Sequence, residues 1–372
     1  MYANRAIERA KQDIIHLCHA GLDSRALRVA VFEKLQSVMP YAVFWCATTD
    51  PSTLLFTGAV HGGLEVHAVP ALVSNELLQE DFNKFTDLAK SRQPVSTLQL
   101  ATRGDLTRSP RYGEILEPAG LGNELRAVFR SGGAVWGALC LHREKRFTDF
   151  TAADVQFFAA IAPHLAAGLR AALLLDPVET APAVDGPGLL VLADDLSVVA
   201  TTPGAELLLG ELCDWSQNLA LPLAVHAVVS RLRALERDTP HAASAIPYVR
   251  LRSRSGRWLA LHASRLSRAA DQIAIIIELA TPHEIAPLVL QTYGLTPREQ
   301  EVTALVFKGL STEDISAQLC ISTLTVQQHL KAIFDKVGVR SRRDLVAQIF
   351  ARSYWPAVAE DQGIAPEQWS PA

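Results

Sequence analysis

The chain has 372 residues, 49% of them hydrophobic and 20% charged, with a net charge of −4. That length supports two or three domains, and the balance fits packed globular structure while excluding wholesale polyanion binding through total charge. No stretch approaches the roughly 20 uninterrupted apolar residues of a membrane span, and Met-Tyr-Ala-Asn-Arg leads into a charged helix rather than a signal peptide, so the expectation is a cytoplasmic protein. Five cysteines, Cys18, Cys46, Cys140, Cys213 and Cys320, are scattered without Cys-x-x-Cys spacing. Neither a disulfide framework nor a zinc site is expected, and Cys46 and Cys140 lie in apolar runs that suit buried, unreactive thiols.

From the start of the chain, apolar spacing predicts helices near residues 3–19 and 23–38, the second with Leu27, Val31 and Leu35 on one face. Two β-branched and aromatic runs at 41–48 and 54–60, separated by Asp50-Pro51-Ser52, read as a hairpin. Runs at 125–130 and 134–142 around Ser131-Gly132-Gly133 read as a second. A closing helix follows residues 147–151, with Val155, Phe158, Ile161, Leu165 and Leu169 on its buried face. The order of helix, hairpin, helical excursion, hairpin and long helix over 1–175 resembles a GAF domain. The resemblance implies a sheet covered on one side by helices and a small-molecule site between the sheet and the excursion at 62–124. Candidate lining residues are Trp45, Phe56, Phe82, Phe85 and Phe129, although aromatics at such spacings serve equally as plain core. His61, His67 and His142 form no spaced ligand cluster, so no metal and no cofactor is expected.

Prolines and glycines mark 176–188 as a linker. Beyond it, residues 189–282 read as strand, turn, strand and capped helix, then strands at 247–253, 257–266 and 272–279. This order resembles a PAS domain, another sensing or dimerising fold. Arg250, Arg252, Arg254 and Arg257 cluster at one hairpin, where a solvated outer sheet face is expected and a grip on an acidic ligand is the alternative.

Residues 290–352 carry the densest signal. Thr296-Pro297-Arg298-Glu299 is a capping box with proline at the first helical position. Val302, Leu305 and Val306 follow at helical spacing, and Gly309 ends the helix. Ser311 starts a second helix, Cys320-Ile321 is a tight turn, and Ser322 caps a third. That helix has Val326, Leu330, Ile333, Phe334 and Val337 on its back and Gln327, Gln328 and Lys331 in front. Gly338 stops it and Ser341 opens a fourth helix with Leu345, Val346 and Ile349. Between 322 and 343 five basic residues (Lys331, Lys336, Arg340, Arg342, Arg343) face one acid, Asp335. A packed back, a polar front and local basic charge are what a major-groove reading helix needs.

The Leu-Thr-Pro-Arg-Glu entry, the Gly-Leu-Ser second helix, the Thr-Val-x-x-His third helix and the Gly-Val-x-Ser-Arg exit resemble the LuxR-type helix-turn-helix. The resemblance implies base contacts from Gln327, Gln328 and Lys331; relatives often carry lysine at the first of these, so Gln327 departs from the pattern. Thr325 suits a phosphate oxygen, and Arg340, Arg342 and Arg343 supply backbone charge. His329 is expected to be structural. Residues 353–372 read as a loose tail.

The glycine and histidine patterns of hydrolases, nucleotide-binding enzymes and metalloproteases are missing, so no enzyme is expected. The expected fold class is α+β multidomain: GAF-like and PAS-like antiparallel-sheet sensor domains, then an all-α four-helix LuxR-type domain. The expected function is a DNA-binding transcription regulator acting as a homodimer, with double-stranded DNA as partner and Leu345 and Ile349 joining two copies. RNA polymerase and an unidentified small-molecule effector are further candidate partners. The alternatives are front domains that bind only proteins, or a redox-responsive thiol sensor.

Overall fold

The structure is a computed structural model that describes residues 2–63, 65, 68–175, 186–212, 221–237, 246–267 and 269–353. Most of the expected linker (176–185), the expected tail from 354, His67 and Cys213 therefore lie outside the described residues. Two compact units are formed, a front unit whose last strand ends at Leu279 and a C-terminal unit from Ala280.

In the front unit, helices α1 (Tyr2–Cys18) and α2 (Ser24–Gln36) precede strands β1 (Val43–Thr49) and β2 (Phe56–Gly62). The excursion contains α3 (Val69–Leu78), α4 (Phe85–Lys90), β3 (Val95–Thr97) and α5 (Leu98–Ala101), then a π-helical turn at Tyr112–Leu116. Strands β4 (Leu121–Ser131) and β5 (Ala134–Glu144) form the second hairpin, longer than its sequence pattern suggested, and α6 (Ala152–Leu175) closes the domain. The sheet order is β2-β1-β5-β4-β3. Phe158, Ile161, Leu165 and Leu169 of α6 are buried, and α6 packs on β4 and on α1 and α2. Two glycines permit this approach. A Cβ at Gly137 would meet the Ala47 carbonyl oxygen at 2.7 Å and Leu169 Cδ1 at 2.8 Å, and one at Gly168 would meet the Cys18 carbonyl oxygen at 2.8 Å. By length and composition the 22 residues Ala152–Leu173 would span a membrane, but their apolar side is spent on this sheet and these helices.

The second sheet contains β6 (Gly188–Ala193), β7 (Val198–Thr201), β8 (Tyr248–Arg252), β9 (Trp258–Leu266) and β10 (Ala269–Leu279), in the order β7-β6-β10-β9-β8. Both sheets thus place their strands in the order second, first, fifth, fourth, third. Helix α7 (Pro203–Glu211) begins where the Thr202 hydroxyl accepts from the Ala205 N–H. Helix α8 (Leu223–Glu236) is buried nearly all round, because it packs on β8 and β9 on one hand and on α3 and β2 on the other. One hydrophobic cluster consequently runs from Trp45, Val69 and Val73 through Val228 and Leu232 to Leu259 and Ile275.

The arginine hairpin departs from expectation. Arg250 is 6% exposed, and its guanidinium donates to the Asp50 carboxylate through Nε (3.0 Å) and Nη2 (2.9 Å). The Arg250 backbone N–H reaches the same carboxylate at 2.9 Å, and Nη2 also donates to Ser52 Oγ at 2.6 Å. Arg252 Nη1 donates to the Leu173 carbonyl at 2.6 Å. This strand is not a solvated face, because β8 lies against β2 and only a paired arginine tolerates that burial.

The C-terminal unit contains α9 (Pro282–Thr292), α10 (Pro297–Phe307), α11 (Thr312–Leu319), α12 (Thr323–Val337) and α13 (Arg342–Ser353). Helix α9 precedes the four expected helices and packs on α10 and α13, burying Ile285, Leu288, Val289 and Leu290. Leu345 and Ile349 are 0% and 2% exposed. They belong to the core of this unit, which removes them as the seam between two copies; Val346 of α13 is 39% exposed.

Replacing Asp50 with alanine strands a buried guanidinium. The expected loss is about 3–5 kcal/mol of front-unit stability, read as a lower urea midpoint, whereas a loss under about 1 kcal/mol is the behaviour of an exposed pair and would contradict this role.

Candidate functional site

Two features bring candidate functional side chains together: the front of α12 and a small pocket beside α3. The first is set up by caps. Thr296 accepts from the Glu299 N–H at 3.3 Å while Glu299 Oε2 accepts from the Thr296 N–H at 2.7 Å. Ser311 and Asp314 repeat the box at 3.1 Å in both directions. Cys320 turns the chain with φ of 53°, and Ser322 accepts from the Thr325 N–H to start α12. Gly338, at φ of 77°, ends it.

Long-range contacts then fix the helix. Val326, Leu330, Ile333 and Val337 are buried. Glu299, already used in the α10 cap, also pairs with Lys336 of α12 at 2.6 Å. Arg298 donates to the Leu319 carbonyl at the end of α11, at 2.8 Å. Gln327, Gln328 and Lys331 are exposed, and Gln327, Lys331 and Arg340 border one open groove floored by Leu330 and Phe334. Thr325 is half-buried with its hydroxyl 2.8 Å from Ser322 Oγ. Arg340 and Arg343 are exposed. Arg342 has a competing use: Nη1 donates to the Leu310 carbonyl and Nη2 to Thr312 Oγ1, both at 2.8 Å. Its guanidinium braces the entry of α11, a role that basic spacing alone does not reveal.

The second feature is lined by Trp45, Phe56 and Phe85, by Val69, Leu72, Val73 and Glu76 of α3, and by Arg126, Cys140 and His142 of the sheet. Three of the five expected aromatics therefore meet. Trp45 and Phe56 are edge-to-face at 4.8 Å, and Phe56 and Phe85 at 5.9 Å. Phe129 lies on the opposite face of the sheet, beside Gly137 and Leu169. Phe82 packs on a separate cluster of Leu98, Tyr112, Leu116 and Leu121, with the Arg108 guanidinium over its ring. Alternation along β4 separates Arg126 from Phe129, and the sequence does not show which face the excursion covers.

Behind the pocket stands a buried ionic network. Arg126 Nη1 donates to Glu76 at 2.9 Å, and its Nε lies 3.4 Å from Cys140 Sγ and 3.3 Å from Glu124. Arg111 grips Glu124 through Nε at 3.1 Å and Nη2 at 2.7 Å, with Asp81 at 3.4 Å. Burial by itself would raise the Glu124 carboxyl, but the Arg111 and Arg126 guanidiniums reverse this and hold it down to about 2. Lys84 donates to the carbonyls of Asn75 and Gln79. Ligand atoms of Glu124, Cys140 and His142 lie within 4.8 Å of one another, but two guanidiniums already fill the Glu124 oxygens and oppose a cation. None of these charged residues was singled out from sequence; Glu124 and Arg126, two apart on an apolar strand, were the available signal.

Thiol chemistry finds little support here. Burial pushes Cys18 and Cys46 up to about 12 and Cys140 to about 11, which suppresses the reactive thiolate. Cys320 alone of the described cysteines is exposed.

Burial pushes His142 and His226 down to about 4 from 6.5. The unfolded chain therefore takes up these protons near pH 6.5 and the folded chain only near 4. Their neutral forms cost no stability above the upper value, and stability falls as pH drops through the window. A thermal midpoint that declines across this window is expected, less steeply for His226→Leu; a flat profile would contradict the burial of neutral imidazoles.

Two family models match the chain: "Bacterial regulatory proteins, luxR family" over residues 294–349 and "GAF domain" over residues 28–169. Among solved structures, the Vibrio cholerae VqmA dimer without target DNA is 18% identical, with 48% of this chain and 84% of that chain covered at a TM-score of 0.19. The phage VqmA–DPO complex is 15% identical over 48% and 89%, at 0.17. The E. coli DhaR(N)–DhaL complex is 11% identical over 75% and 90%, at 0.24. Scores this low transfer neither a ligand nor an assembly to this chain.

Proposed function

We propose, from a chain that carries both a LuxR-family DNA-binding domain and a GAF domain, a sequence-specific transcription regulator whose front unit senses a small molecule. The observation that carries the reading is the front of α12, where Gln327, Gln328 and Lys331 stand exposed over a back formed by Val326, Leu330 and Ile333. Glutamine can address adenine bidentately and lysine guanine or a phosphate, while Arg340 and Arg343 add sequence-independent backbone charge. The regulator works in the cytoplasm, as a homodimer on paired half-sites about one DNA turn apart, and the chain itself supplies no catalysis. The central domain is read as PAS-like from its strand order, the same order as in the first sheet.

The pocket beside α3 is the proposed effector site. Coupling follows from packing, because α3 lines the pocket with Val69, Val73 and Glu76 and also packs on α8. A ligand that displaces α3 must disturb α8 and the core of the second sheet, since dense packing transmits strain.

The test is binding of the full chain to its own upstream DNA and to scrambled DNA at fixed salt. Lys331→Ala and Gln328→Ala are expected to lose preference for the true site by about 1–3 kcal/mol. Arg343→Ala should weaken all sequences alike and flatten the salt dependence. Equal losses on every sequence from all three variants would refute the division of roles.

A further inference from the structure

The effector reading leaves the chemistry of the ligand open, and the pocket itself restricts it. The void is small. A water centre has about 20 Å³ in which to move, room for roughly one water, so any larger occupant must part the α3 wall from the aromatic rings. The wall facing the rings is formed by Val69, Leu72 and Val73, with Val69 and Val73 buried.

The two charged side chains on the lining are committed to each other. Glu76 accepts from Arg126 Nη1 at 2.9 Å through Oε2 and from the Phe85 backbone N–H at 2.7 Å through Oε1. Arg126 also donates to the Asn83 carbonyl at 3.0 Å and lies over the Phe85 ring, 4.1 Å from its centroid. A charged guest would lose its hydration without finding a free counter-charge. His142 differs. It is 2% exposed, and its Nδ1 is buried without a hydrogen-bond partner among the described residues. Burial holds the imidazole neutral at physiological pH, so this nitrogen either accepts or donates one bond according to tautomer. An unmet polar atom of this kind carries a desolvation penalty that a guest hydroxyl or ring N–H relieves.

We propose that the effector is a small, uncharged, planar ring compound bearing a hydroxyl or ring N–H, which stacks among Trp45, Phe56 and Phe85 and hydrogen-bonds His142 Nδ1. The proposal rests on the reading of this pocket as the effector site. It excludes carboxylates, phosphates and ammonium compounds as the primary ligand class.

The test uses the full chain with labelled methyl groups and three probes of equal ring size: phenol, toluene and benzoate. Phenol is expected to bind saturably about tenfold more tightly than toluene, the worth of one satisfied buried hydrogen bond, and benzoate not to bind saturably. Intermolecular contacts from phenol ring protons to the Leu72 and Val73 methyls should locate it. In His142→Leu the phenol advantage should vanish while toluene affinity persists. Equal affinity for phenol and toluene in the native chain overturns the His142 bond, and benzoate binding as tightly as phenol overturns the uncharged class. Binding of phenol without contacts to Leu72 and Val73 overturns the site. DNA binding measured on the same preparation separates these outcomes from failure of the regulator reading: a chain that discriminates its DNA yet binds no probe refutes the ligand class alone.

Discussion

The front unit is organised around a buried carboxylate. Asp50 directly follows the first strand of one sheet and receives three donors from Arg250, on an edge strand of the other. Neither charge tolerates burial by itself, so the pair demands the register of both strands and the close approach of the two sheets. Helix α8 fills the remaining space between them, and because it is buried nearly all round, it makes the two domains share one core. Arg231 of the same helix reaches the Thr53 carbonyl in the turn that carries Asp50. The first and central domains therefore cannot repack independently.

A second ionic network organises the excursion that covers the sheet. Arg111 and Arg126 join Glu124 of β4 to Asp81 beyond α3 and to Glu76 within it. These bonds position α3 and α4 over Trp45 and Phe56, which creates the pocket, and they pair Glu76 with Arg126, the charged residues on its lining. The same low-dielectric surroundings that strengthen the ion pairs keep His142 neutral, and its buried Nδ1 has no hydrogen-bond partner among the described residues.

The C-terminal unit works on a shorter length scale. Three of its helices, α10, α11 and α12, begin after Thr296, Ser311 and Ser322, each accepting from an N–H three residues on. Such caps are local, and their residues lie adjacent in the chain. Tertiary contacts refine the arrangement: Glu299 serves both a cap and Lys336, and Arg342 is drawn into bracing α11 rather than standing free beside Arg340 and Arg343.

The sequence by itself determined what depends on neighbours in the chain: the capped helices from 297 onward, the polar front of α12, the two hairpins of the first domain and the strand series of the second. Periodicity and capping act within a few residues, so they survive without knowledge of the fold. The tertiary structure decided what depends on distant partners. Arg250 reads as a surface residue until β8 meets β2. Leu345 and Ile349 read as a dimer seam until α9 and α10 cover α13. Phe129 reads like Phe85 until the excursion is seen to cover the other face of the sheet, and Glu76, Glu124, Arg126 and His142 gain meaning only when α3 closes over the strands. Charge, burial and pocket shape are set by residues tens to hundreds of positions apart, and a linear pattern holds no record of which of them meet.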